Sequence, residues 1–141
     1  MKANELMIGD WVGRVFDDKR IDYRQVDWIR TGEIGMRYQQ VWAIGCIEPI
    51  PLTTEILEKN GFYDRNTQWY YKRFGSYDCF DIDISLVYRD IEVSKVCGAG
   101  TDCEEVEYGS SIVFGNDICV NNLQHVLRLC GLDELADNFK I

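Results

Sequence analysis

Among the residues able to do chemistry, the cysteines draw notice first. Six occur in 141 residues, and two of them bracket the run Cys97-Gly-Ala-Gly-Thr-Asp-Cys103. With Cys119 and His125 they give the pattern C-x5-C…C-x5-H. Zinc knuckles use gaps of roughly two to four residues, because a tight turn must aim both sulfurs at one ion. A gap of five is loose. On a helix turning about 100° per residue, Leu123, Val126, Leu127 and Cys130 share one face and His125 lies nearly opposite. The histidine is therefore expected in solvent, and no metal is expected. A nucleophilic thiolate needs a cation, a base or a helix N-terminus beside it. Cys97 and Cys103 are followed instead by Asp102, Glu104, Glu105 and Glu107, which raise a thiol pKa. A Cys97–Cys103 disulfide fits across a glycine-rich turn, but it needs an oxidising compartment. The same run lacks the lysine of a P-loop and the G-x-G-x-x-G spacing. GSSIVFG puts Ile112 where a nucleophile elbow needs a turn. Asp81 and Asp83 share the solvent face of one strand, as ordinary surface carboxylates do. No cofactor is implied, no catalytic residue emerges, and a non-enzymatic role is expected.

Two binding readings remain. RNTQWYYKRF sets Trp69, Tyr70 and Tyr71 beside Arg65, Lys72 and Arg73, and aromatics interleaved with bases on a sheet can stack and track a single strand of nucleic acid. Conversely, 78–107 holds nine acids against Arg89 and Lys95, a row able to imitate phosphates and occupy a DNA-binding protein. The net charge of −9 disfavours a general attraction to nucleic acid or anionic lipid. An unidentified protein partner is the favoured expectation. The candidate interaction surface comprises Arg65, Trp69, Tyr71, Arg73, Asp102, Glu104 and Glu105.

These side chains need a scaffold, and 46% apolar composition suffices for a core. LMIGDWVGRVF, DYRQVDWIR, EIGMRYQQ and VWAIGCIEPI read as short strands, stopped by Pro49 and Pro51. EIGMRYQQ places Ile34, Met36 and Tyr38 on one face. A small SH3-like β-barrel over 1–51 is expected. LTTEILEKNGF is a capped helix: Thr53 at the N-cap, Leu52 stapling onto Leu57, and Asn60-Gly61-Phe62 ending it as a Schellman motif. TQWYYKRF, DCFDIDISLVY, IEVSKVC and EEVEYGSSIVFGN read as an antiparallel sheet, with Arg89-Asp90 turning the central hairpin. VNNLQHVLRLCG, capped by Asn121 and ended by Gly131, and then LDELADNF, close the chain as helices. The fold class is α+β, with 52–141 holding the second sheet and the helices, or with both sheets sharing one core.

IGDWV, EPIPLTTEILEKNGF and LQHVLRLCG, in that order, resemble small uncharacterised proteins encoded in phages and prophages of gut Bacteroidetes. The resemblance spans most of the chain and rests on turns, caps and a helix face. It implies a mobile-element origin and a bacterial cytosol, and it carries no activity. MKANELMIGD has no apolar h-region, and no apolar run approaches the ~18 residues of a membrane span. A cytoplasmic protein with no membrane association and reduced thiols is expected.

Overall fold

The computed structural model describes residues 1–66 and 68–141. The protein is α+β, with two antiparallel sheets and few helices. The chain divides into two compact units: 1–51 with 119–139, and 52–118 with 140–141. The C-terminal helices, placed with the second sheet on sequence, thus belong to the first unit. No helix among the described residues is long and apolar enough to cross a membrane.

The first unit carries β1 (Trp11–Val15), β2 (Ile21–Arg30), β3 (Glu33–Met36) and β4 (Gln40–Ala43), paired in that order. Val12, Val26, Ile34, Met36 and Trp42 form its core with Leu6 and Ile47. The expected closed SH3-like barrel is not present. After β4 the chain turns through a 3-10 segment at Ile44–Cys46 and pairs with β1 at a single isolated bridge among the described residues, Gly13–Glu48. Pro49 and Pro51 follow at once, and without N–H donors they cannot extend that bridge into a strand. EIGMRYQQ is likewise not one strand. Tyr38 and Gln39 take positive φ of 70° and 64°, turning β3 back into β4 as a hairpin and leaving Tyr38 91% exposed.

The second unit opens with α1 (Thr54–Lys59). Thr53 caps it, its hydroxyl accepting from Ile56 N–H at 3.4 Å. Phe62 N–H donates to Leu57 O at 3.0 Å and Gly61 N–H to Glu58 O at 2.9 Å, the Schellman pair. The sheet β5 (Tyr63–Asn66), β6 (Trp69–Gly75), β7 (Cys79–Ser85), β8 (Asp90–Cys97), β9 (Glu105–Val113) follows in sequence order. Its register pairs Tyr70 with Ile84 and Ile84 with Ile91, and this face is the buried one. Thr54 and Asn60, flanking α1's helical turns, reach the same face: Thr54 Oγ1 lies 2.7 Å from Tyr70 Oη, and Lys72 Nζ donates to Asn60 O at 2.5 Å.

Back in the first unit, α2 (Val120–Leu129) and α3 (Asp133–Asp137) complete it. The N-cap of α2 is Cys119, not Asn121: Asn122 Oδ1 accepts the Cys119 N–H at 2.9 Å, and Asn121 lies buried inside the helix. Gly131 ends it as expected, with Leu132 N–H on Leu127 O at 2.9 Å.

Candidate interaction surface

Register builds the polar face of the second sheet. Tyr71 pairs with Asp83 and Arg73 with Asp81, so the odd-numbered residues of β6 and β7 stand side by side, away from the isoleucine face. Arg73 grips Asp81 with two parallel bonds, Nε to Oδ1 at 2.6 Å and Nη2 to Oδ2 at 2.7 Å. Tyr71 Oη donates to the same Oδ1 at 2.9 Å. A bidentate guanidinium–carboxylate fork is among the strongest surface pairings. Arg65 on β5 reaches Asp83 at 3.5 Å, and its guanidinium carbon lies 3.7 Å from the Tyr71 ring centroid, at cation–π distance. Four of the predicted residues, Arg65, Tyr71, Arg73 and Glu104, thus meet through Asp81 and Asp83. Trp69 sits apart from this chain of charges, half-buried over Tyr88 with centroids 6.1 Å apart.

The two aspartates differ. Burial pushes the Asp81 carboxyl up, but the Arg73 fork and the Tyr71 hydroxyl outweigh it, and the group sits below its ordinary value. At Asp83 burial dominates the looser Arg65 contact, and the carboxyl is held above its ordinary value. Burial and the bond to Asp81 raise Tyr71 in turn.

The CGAGTDC loop is the other end of this ion chain. Arg73 Nη2 reaches Glu104 Oε1 at 3.2 Å, and Glu104 Oε2 accepts the Gly100 N–H at 2.7 Å. Gly98 and Gly100 take φ of 66° and 75°. A Cβ on Gly98 would lie 2.9 Å from the Cys103 carbonyl oxygen, so the reversal requires glycine there. Thr101 Oγ1 donates to Gly98 O at 2.6 Å and locks the turn. Cys97 and Cys103 are both unlinked thiols. Hydrogen bonding to Glu107, partial burial and a bond to Asp78 push the Cys97 thiol up to about 12, so it stays protonated and unreactive at neutral pH. Acidic neighbours do raise it, though the partners are Glu107 and Asp78 rather than the whole run 102–107. Asp102 and Glu105 are exposed.

His125 is not the solvent residue its helix position suggested. Its side chain is 24% exposed and Nε2 lies 2.7 Å from Asp10 Oδ2. Asp10 is fully buried and also accepts from Met7 N–H at 2.8 Å and Arg128 Nη1 at 2.6 Å. His125 and Arg128 are three apart on α2 and share a flank; a buried carboxylate must be compensated, and both turn to it. Arg128 also holds Asp137 at 3.0 Å. Burial lowers the guanidinium pKa, but these two carboxylates overcome the effect and raise it. Gly9, at φ 89°, leaves room for this pair, since a Cβ there would sit 2.5 Å from Asp137 Oδ1. Its carbonyl accepts from Gln124 Nε2 at 3.0 Å. IGDWV and LQHVLRLCG are therefore two sides of one polar network that fastens α2 and α3 to β1, a structural role.

Sequence reasoning missed the long exposed edge strand. β9 is one of the two edge strands of its sheet, the other being the four-residue β5, and eight of its nine residues are exposed. Its last six residues, Tyr108-Gly-Ser-Ser-Ile-Val113, carry no charge and no proline. The signal available in the sequence is that uncharged run. No protein-family model, curated protein or solved structure matches the chain.

Proposed function

We propose that the protein is a non-enzymatic protein-interaction module that captures a basic, extended segment of a partner protein along β9. The β9 edge carries the reading: nine residues long, exposed at eight of them, uncharged over 108–113. Edge strands present unpaired N–H and C=O groups, and proteins ordinarily blunt them with charge or proline. Here both protections are missing over six residues, as an edge used for strand addition requires. Charge selects the occupant. The second unit holds 13 acidic and 7 basic side chains, against 11 and 8 in the first. Arg73 and Lys95 are engaged by Glu104 and Glu107, while Asp102 and Glu105, exposed before and at the start of β9, have no ion-pair partner among the described residues. A lysine- or arginine-bearing strand meets attraction there; a nucleic acid strand meets repulsion, because Arg65 and Arg73 already have carboxylates.

The test is amide hydrogen exchange during titration with a synthetic decapeptide of alternating lysine and valine. The outward amides of 105–113 become protected, and Ser110→Lys, which sets a like charge on the edge, removes that protection. Protection that appears on another element, or none at all, overturns the reading. So does β9 protection that rises with protein concentration in the absence of peptide, which would make a second copy the occupant.

A further inference from the structure

A cavity of about 580 Å3 in the first unit is lined by Arg14, Arg20 and Arg24 among other residues of β1, β2, β4 and the β1–β2 turn. Its charge is anomalous in a protein of net −9. Asp22 is the carboxylate in the lining, and Arg24 Nη1 occupies it at 2.9 Å. Arg14 has no carboxylate partner among the described residues. Its guanidinium carbon lies 4.6 Å from the Phe16 ring centroid and 5.9 Å from that of Trp42. Arg20 lies 4.6 Å from the same Phe16 ring and reaches Asp18 only at 3.9 Å, with both side chains about two-thirds exposed. Both guanidinium groups thus lie at cation–π distance from one ring, and Arg14 keeps its N–H donors off any carboxylate among the described residues. The tight turn between β1 and β2 holds them in place: Phe16 N–H donates to Arg20 O at 2.9 Å and Lys19 N–H to Phe16 O at 2.8 Å. Ile21 and Val41, each about half exposed, add apolar surface to a lining that is otherwise largely polar, and Gln40 supplies an amide.

We propose that this concavity binds a nucleoside phosphate, with Arg14 and Arg20 on the phosphate oxygens and the nucleoside between Ile21, Val41 and the Gln40 amide. Guanidinium forks match phosphate geometry. The volume falls in the range of roughly 300–1,000 Å3 of small-molecule sites and is much larger than a bare phosphate needs. The apolar side chains of Ile21 and Val41 beside one amide suit a base, which has flat faces and a hydrogen-bonding edge. A nucleic acid polymer is disfavoured, since its further phosphates would enter the acidic field of the rest of the chain.

Isothermal titration calorimetry of the full chain with ATP, inorganic pyrophosphate and adenosine tests it. ATP binds in a saturable, salt-sensitive manner and more tightly than either fragment. Arg14→Met, which keeps an apolar stem on Phe16, weakens ATP about tenfold or more. Asp22→Asn removes the competing carboxylate, frees Arg24 and tightens ATP roughly three- to fivefold, a gain that misfolding cannot produce. Arg30→Gln, over Trp28 and outside the cavity, leaves binding unchanged. Pyrophosphate or adenosine binding as tightly as ATP overturns the nucleoside phosphate assignment. So does the absence of saturable heat at millimolar ATP, or ATP binding that ignores both Arg14→Met and Asp22→Asn.

Discussion

Two sets of arginines, one on each sheet, meet opposite fates. On the second sheet the register sets Arg73 across from Asp81, and the pair closes as a fork with Tyr71 and Glu104 attached. On the first sheet Arg14 faces Asp22 in register too, yet Asp22 turns to Arg24 instead, and Arg14 lies against Phe16. One cross-strand pair is consumed as structure, and the other is left open at the mouth of a concavity. A count of basic residues along the chain cannot separate these cases. RNTQWYYKRF looked like the cationic surface, but its arginines are the neutralised ones.

The contrast can be broken experimentally, and the largest effect belongs to the closed fork. Asp81→Asn removes the charge that Arg73 and Tyr71 share and costs about 2 kcal/mol, the scale of a lost charge-assisted hydrogen bond in a partly buried site; the urea midpoint reads it. Next comes pH. Asp81 is held below its ordinary value, so its contribution is present above the unfolded pKa of about 3.9 and is lost as pH falls through the folded value. Asp83 is held above its ordinary value, so it is a penalty at neutral pH that is relieved as pH falls through that raised value. Asp83→Asn should therefore raise the neutral-pH midpoint by about 0.5 kcal/mol, with the gain vanishing below pH ~4. Denaturation of both variants at pH 7 and pH 4 checks the two signs; the same sign for both aspartates would refute the contrast. Arg14→Met should have the smallest effect on stability, within about 0.5 kcal/mol, because no carboxylate is stranded by it. A larger loss would mean that Arg14 is as structural as Arg73.

Local patterns were readable in the sequence. Thr53, Asn60-Gly61-Phe62 and Gly131-Leu132 fix helix ends within a few residues of chain, and their hydrogen bonds form as expected. The alternation of Ile82 and Ile84 against Asp81 and Asp83 located the central strand and its two faces. β5 escaped notice because YDRN is exposed at every position, so no hydrophobic alternation marks it. EIGMRYQQ misled because Met36 and Tyr38 share a parity, while nothing in the pattern reveals that Tyr38 and Gln39 adopt left-handed backbone. The cap of α2 moved by two residues because Asn121 is buried inside the helix and Asn122 serves the cap instead.

The α+β class, both ends of α1, the C-terminal end of α2, the faces of the central strand and the acidity around the CGAGTDC loop were legible in the sequence, because each depends on neighbours a few residues away. Only the tertiary structure decided which charges remain available. Asp10 and Arg128 are 118 positions apart, Arg73 and Glu104 are 31 apart, and whether Asp22 serves Arg14 or Arg24 depends on side-chain geometry across a hairpin. Electrostatic partners are chosen by distance in space and by burial, and neither is written in the local pattern of a chain.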